Sequence, residues 1–354
     1  MMDDALAYMA AAISAVLFLA GQWVDVEPQG WVRRLRLTFG ASGAVVAPFL
    51  PSDVMPFALA AVLAALAMKR PAAWMAVAFQ TAAAVLSRFE EFSSLTEGAS
   101  LVALALAFGG LTRGKVLDTV YLIQATPALV LAQLGNAPTL NATWLTLAAS
   151  LVALAGAVLG LGRRRISDVF FASALMHTGV SLSVVVARAL DGGVAAFVTT
   201  CCFALGLTGF GLCVHALDAR DGDDAETLSG RIWNYPRLAG AAFVLAGATV
   251  GLPLTLGFVA DDLVLHVVWE VSPWAAGIIS VGTAVLAVTL LRTLSQVFFG
   301  AQPMEPSSAP DLTVRERAGL GLLMLVLLGL GLVPSVLVDP ATQRLKPSNE
   351  RPVD

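Results

Sequence analysis

Apolar residues along this chain come in runs of about twenty, separated by short polar punctuation, from one end to the other. A helix rising 1.5 Å per residue needs about twenty such residues to cross the hydrocarbon of a bilayer. The runs predict twelve transmembrane helices, over roughly 5–22, 32–50, 53–68, 71–88, 92–112, 116–134, 142–161, 167–188, 193–217, 236–270, 274–299 and 317–338. The tenth is too long for one straight crossing. Gly251, Pro253 and Gly257 fall in its middle, so it reads as a helix interrupted there. Interrupted backbone at membrane depth is tolerated only where protein or a wet cavity satisfies its polar groups. The expected fold is an all-α polytopic membrane protein of about 12 transmembrane helices with one discontinuous helix.

Composition strengthens this picture. Of 354 residues, 58% are hydrophobic and 13% charged, and the mean hydropathy is +0.81. Soluble domains carry about 25% charged residues. No polar stretch is long enough to build a soluble core, so residues 1–354 are expected to form a single membrane domain. Met1-Met2-Asp3-Asp4 is acidic and lacks the basic leader of a cleaved signal, so the first helix is expected to stay in place. Cys201, Cys202 and Cys213 share one apolar run and read as small packing residues. No Cys/His metal spacing, nucleotide-binding loop, nucleic-acid patch or Ser/His/Asp arrangement occurs, so no metal, no cofactor, no nucleic-acid partner and no catalytic site of its own are expected.

Charge then orients the helices. Alternate loops hold Arg33, Arg34 and Arg36; Lys69 and Arg70; Arg113 and Lys115; Arg163, Arg164 and Arg165; Arg220, Arg231 and Arg237; Arg315 and Arg317. The loops between them hold only Arg88 and Arg188, with Asp53, Glu90, Glu91, Asp191 and Glu270. The positive-inside rule puts the first set in the cytoplasm and the N-terminus outside. Arg344, Lys346 and Arg351 in the tail pull mildly the other way. The longer linkers, acidic 218–235 and Pro/Ser-rich 300–316, read as solvated.

Few ionisable groups lie within the apolar runs, and a charge at that depth usually marks an ion or proton path. Lysine is confined to Lys69, Lys115 and Lys346, all in loops or the tail. Glu97 stands one or two turns into the fifth helix, either as a wet carboxylate favouring the helix dipole or as a proton-binding group facing the bundle. Asp261 and Asp262 come just after the helix break, where an N-cap explains one of them but not both. Asp262, His266 and Glu270 recur every four residues on one face, as an exit stripe or as a coincidence of a helix end. His177 lies inside the eighth helix as a packing residue or a shuttle. His215, near a helix end, reads as structural or interfacial. Arg292 either snorkels to the surface or pairs with an acid.

The order of these pieces resembles the antiporter-like membrane subunits of respiratory complex I and of Mrp-type cation/proton antiporters. The resemblance covers roughly residues 90–338. Glu97-Gly98-Ala99-Ser100-Leu101 is similar to the family's Glu-x-x-Ser-Leu segment, whose Glu serves the proton pathway. Arg164-Arg165 through Ser173, His177 and Gly179 resembles the opening of a later helix. Pro236 through Gly251-Leu252-Pro253, Gly257-Phe258 and Asp261 resembles the family's discontinuous helix. Leu291-Arg292 through Phe298-Phe299-Gly300, with Arg315-Glu316, resembles the next helix and its loop.

There are departures. Asp261 stands where many members have a lysine, the run 193–217 lacks a central lysine, and the family's first discontinuous helix has no counterpart between residues 135 and 142. The resemblance thus implies a partial inverted repeat in a shortened, divergent member: 1–70 N-terminal helices, 71–135 a remnant of the first repeat, 142–300 the second repeat, 301–338 a C-terminal helix and 339–354 a polar tail.

The expectation is a membrane subunit of a larger energy-converting complex in a bacterial inner membrane, forming or sealing a proton or cation path. Glu97, His177, Asp261, Asp262, His266, Glu270 and Arg292 are the path candidates, and Gly251, Pro253 and Gly257 the break. Its partners would be other membrane subunits, the lipid bilayer and a soluble or peripheral catalytic subunit, for example that of a proton-translocating oxidoreductase. Two alternatives stand: a scaffold subunit with eroded conduction, and the membrane half of an inorganic-carbon uptake complex.

Overall fold

The computed structural model describes residues 5–24, 31–50, 54–66, 71–87, 93–107, 115–134, 141–187, 192–221, 230–301 and 310–339. Among the described residues every regular element is helical. Chain order gives α1 (Ala5–Val24), α2 (Trp31–Val46), α3 (Met55–Leu66), α4 (Pro71–Leu86), α5 (Ser93–Ala107), α6 (Val116–Ile123) and α7 (Thr126–Leu134). It continues with α8 (Ala142–Leu161), α9 (Ile166–Ala187), α10 (Gly192–Asp221), α11 (Pro236–Ala248), α12 (Leu256–Val271), α13 (Pro273–Phe298) and α14 (Val314–Leu332). The gap at 135–140, Arg88, Glu90, Glu91, Asp191, most of both long linkers and the tail from 340 lie outside the described residues.

Residues 194–214 of α10 are buried without a gap, with α1, α6, α7, α9, α11, α12 and α14 packed against the helix. An apolar helix wrapped on every side by protein is the axis of a bundle. The spans of α8 and α13 are 39% buried and expose broad apolar faces, which suits the lipid side.

Small residues set the helix spacing. A Cβ added to Gly179 of α9 would meet the Ala149 carbonyl oxygen of α8 at 2.6 Å, and one on Gly156 of α8 would run into the backbone of Met176. The two backbones therefore touch, the close approach that glycine permits in membranes.

Two spans are broken. The first break, at Gln124-Ala125 between α6 and α7, is not anticipated by the apolar run at 116–134. Pro127 has no N–H for the Ile123 carbonyl and its ring crowds that oxygen. The Thr126 hydroxyl donates to Ile123 O instead, at 2.7 Å. The kink is tied to α1, with Gln124 Nε2 donating to Leu17 O at 3.3 Å and Ser14 Oγ to Gln124 O at 3.5 Å.

The second break separates α11 from α12. The Leu252 N–H reaches back to Gly247 O at 3.0 Å, and Gly251 has φ +75. This is the left-handed glycine ending common at helix C-termini. Leu254 also has positive φ, at 71, the only non-glycine among the described residues to do so. Such a conformation costs a bulky residue about 1–2 kcal/mol. Gly257 packs α12 back against the Ala248 carbonyl, and Gly331 of α14 lies on the backbone at Thr255.

At the end carrying most of the basic residues, Arg220 of α10 clasps the start of α14. Its guanidinium donates to Glu316 Oε1 at 3.0 Å and Oε2 at 2.7 Å, and Nε donates to Pro310 O at 3.0 Å. Glu316 also accepts from the Thr313 backbone N–H at 2.7 Å, closing a capping box. Asp311 accepts from the first N–H groups of α11, Arg237 at 2.9 Å and Leu238 at 3.2 Å.

Candidate functional site

An interrupted helix leaves a carbonyl at the end of one half without its helical partner. Here the Thr249 carbonyl, at the end of α11, accepts from His177 Nε2 at 2.7 Å. His177 is fully buried on α9. Its other nitrogen, Nδ1, lies 2.6 Å from Ser173 O and 3.4 Å from Ser173 Oγ. Phe203 of α10 packs edge-on to the ring at 4.2 Å.

This geometry admits two proton states. A protonated ring donates from Nδ1 to the Ser173 carbonyl and from Nε2 to the Thr249 carbonyl, filling both short contacts. A neutral ring keeps Nε2–H on Thr249 and turns Nδ1 away from the Ser173 carbonyl, 2.6 Å off, to accept from the Ser173 hydroxyl. The residue can therefore gain or lose a proton without abandoning the broken helix.

The acids occupy three different settings. Asp261 is half-buried in the second turn of α12, and its Oδ2 lies where a Cβ on Gly251 would be 2.5 Å away. Its carboxylate thus sits on the left-handed turn of the break. Cys202 of α10, 3.9 Å from the Ala248 carbonyl, lies within range of its charge. The structure therefore gathers His177, Thr249, Cys202 and Asp261 around one interruption. Glu97 is 4% exposed on α5, which packs against α7 and α9. Asp262 is exposed, and so are His266 and Glu270, whose side chains form a 3.6 Å pair on the outer surface of α12. That stripe does not join the buried cluster.

Arg292 pairs with no acid among these. Its guanidinium donates to the Leu161 carbonyl at 2.5 Å and lies 3.4 Å from Arg163 O, at the C-terminal end of α8. A cation there complements the negative end of a helix. The contact ties α13 to the end of α8.

Thr249 and Ser173 act through their backbone carbonyls, which any residue supplies, so side-chain identity carries no signal for them. A hydroxyl four residues before a histidine is the only hint.

The comparisons agree with this architecture. Residues 119–287 match the family described as NADH:quinone oxidoreductase/Mrp antiporter, TM. NADH-quinone oxidoreductase subunit M of Rhodobacter capsulatus is 31% identical over 130 residues, 36% of this chain and 25% of that protein. The chain thus spans about a quarter of that curated relative. A chain of the archaeal membrane-bound sulfane sulfur reductase shares the fold at TM-score 0.80 and 18% identity, over 95% of this chain and 66% of the other. A chain of the Mrp complex from Dietzia sp. DQ12-45-1b does so at 0.76 and 16%, over 97% and 44%. Residues 119–287 thus resemble the membrane domain that NADH:quinone oxidoreductases and Mrp antiporters share, on a helical fold like those of the two membrane complexes.

Proposed function

We propose that this chain carries protons across a bacterial inner membrane as one subunit of a larger energy-converting complex, along a path that pivots on His177. The observation that carries the reading is the ring of His177, held between carbonyls of two helices, one of them the interrupted helix. Glu97, near the outward start of α5, exchanges protons with the bundle at that end, and Asp261 does so at the break. Asp262, His266 and Glu270 extend the route toward the far surface, where other membrane subunits cover them, since charge at such depth does not face lipid. The basic loops lie in the cytoplasm, the N-terminus lies outside, and a peripheral subunit supplies the driving chemistry.

A scaffold role is the second reading. It is favoured by the confinement of all three lysines to loops and tail, and by the outward stripe on α12.

The test is proton flux into proteoliposomes holding the chain with its co-purified partners, read with a pH-sensitive dye. His177→Ala and Asp261→Asn each lower the flux at least tenfold while subunit composition stays intact. Flux unchanged in both variants rejects the path. An intact complex with no flux in any form, the unmodified one included, selects the scaffold.

A further inference from the structure

At the basic end, α6, α9 and α10 leave between them a cleft of about 360 Å³. Lys115, Arg165, Asp168, His215 and Asp218 line it, and Phe171 forms part of its wall. It is therefore an opening of mixed charge at that end of the bundle.

The helices that line the cleft also carry the buried cluster. On α9, Asp168 and His177 are nine residues apart, about 13.5 Å along the axis at 1.5 Å per residue. On α10, His215 and Phe203 are twelve residues apart, about 18 Å by the same rise. The interval between is aromatic. The rings of Phe170 and Phe171 meet edge-on at 5.4 Å, and Phe170 lies 6.0 Å from Phe210. Phe170 and Phe210 are fully buried. Gly211 lets this layer close: a Cβ there would meet Phe170 Cε2 at 2.8 Å and Val120 Cγ2 at 2.5 Å. Beyond the rings α9 carries the buried polar pair Ser173 and His177.

We propose that this cleft is the vestibule where protons load from water, with Asp168, His215 and Asp218 as the loading groups and Phe170, Phe171 and Phe210 as a dry tier between it and His177. The inference rests on the proton-path reading above. Hydronium gives its proton to a carboxylate or to the imidazole and leaves as water, while Lys115 and Arg165 balance the charge of the acids. The proton moves on when the tier wets, and a hydrophobic constriction of this kind closes by dewetting. A permanently open connection would short-circuit the membrane, so a dry tier is what a coupled path requires.

Two measurements on the chain with its partners test this. The first is labelling by a membrane-impermeant maleimide, with Cys201, Cys202 and Cys213 replaced by alanine. Ser167→Cys, in the cleft wall, labels readily, and Ser173→Cys labels at least tenfold more slowly. Adding Phe210→Ala to Ser173→Cys restores rapid labelling. Equal rates at the two positions without Phe210→Ala overturn the tier.

The second is flux in the dye assay. Asp168→Asn, His215→Gln and Asp218→Asn together lower it several-fold, with subunit composition unchanged. Flux that survives these substitutions but falls in His177→Ala overturns the vestibule and leaves the path standing. No flux in the unmodified protein overturns the path, and with it the loading role of the cleft.

Discussion

Two residues of the break have left-handed backbone, and their substitutions pull in opposite directions. Gly251 has no Cβ to clash, whereas alanine there combines an unfavourable φ with a 2.5 Å approach to the Asp261 carboxylate. Gly251→Ala is expected to cost about 1–2 kcal/mol and to displace Asp261. Leu254 already bears the same backbone penalty, and its side chain is 66% exposed. Leu254→Gly therefore relieves strain and is expected to hold or raise stability by up to about 1 kcal/mol, since glycine's larger unfolded-state entropy offsets part of the gain. Thermal unfolding in detergent separates the two signs. These positions also mark what sequence reveals at this scale. Gly251, Pro253 and Gly257 announce an interruption through composition alone, but the positive φ of Leu254 arises from the path the chain takes between two packed helices. No leucine advertises it.

A second residue-scale expectation concerns Glu316, whose side chain is 1% exposed against an 8% exposed Arg220. Burial by itself would raise the carboxyl, but the bonds from Arg220 and Thr313 outweigh it and hold Glu316 below its ordinary value. A carboxyl with a lowered folded pKa binds fewer protons folded than unfolded. Its stabilisation is complete above the usual carboxylate range near 4 and is lost as pH falls through the lower folded value. Arg220→Ala, which leaves the acid buried and alone, is expected to cost about 3–5 kcal/mol at neutral pH. Unfolding temperatures measured from pH 7 downward should converge between Arg220→Ala and the unmodified protein only below pH 4.

At the scale of elements, apolar run length locates nearly every helix, because hydrophobic thickness dictates that length regardless of partners. Run length cannot report a kink inside an unbroken run. Pro127 is the one available sign in 116–134, and the Thr126 hydroxyl that rescues the Ile123 carbonyl makes the kink tolerable without altering hydropathy. Helix pairing is likewise invisible to hydropathy, and here the glycines decide it. Gly179→Leu would drive a side chain into α8 at Ala149 and Ala153. Overpacking of this kind costs about 1–3 kcal/mol, and because His177 lies two residues away on α9 the ring would shift from Thr249. The expected outcome is a lower unfolding temperature together with reduced proton flux. Gly98→Leu serves as the control, since nothing lies within 4 Å of a Cβ at Gly98.

At the scale of the whole molecule, the charge pattern and the interrupted helix make one joint demand. In the orientation proposed above the starts of α6, α9 and α11 are cytoplasmic, and the break after Ala248 falls about 19 Å from the start of α11, near mid-membrane, by the helical rise. Acidic Glu270 then reaches the opposite surface at the end of α12. The His177–Thr249 junction then lies between the basic loops and the surface that Glu270 reaches. Spacing along the sequence could not reveal this, because α10 separates the elements that carry His177 and Thr249 by more than thirty residues while folding them onto the same face. Sidedness is a measurable consequence. In right-side-out vesicles lacking the native cysteines, a thiol introduced by Asp224→Cys in the 218–235 linker should resist an impermeant maleimide until the membrane is opened. One introduced by Asp191→Cys, between the eighth and ninth predicted spans, should label at once. The reverse pattern would invert the direction assigned to the path while leaving the His177–Thr249 junction where it is, at the centre of the bundle.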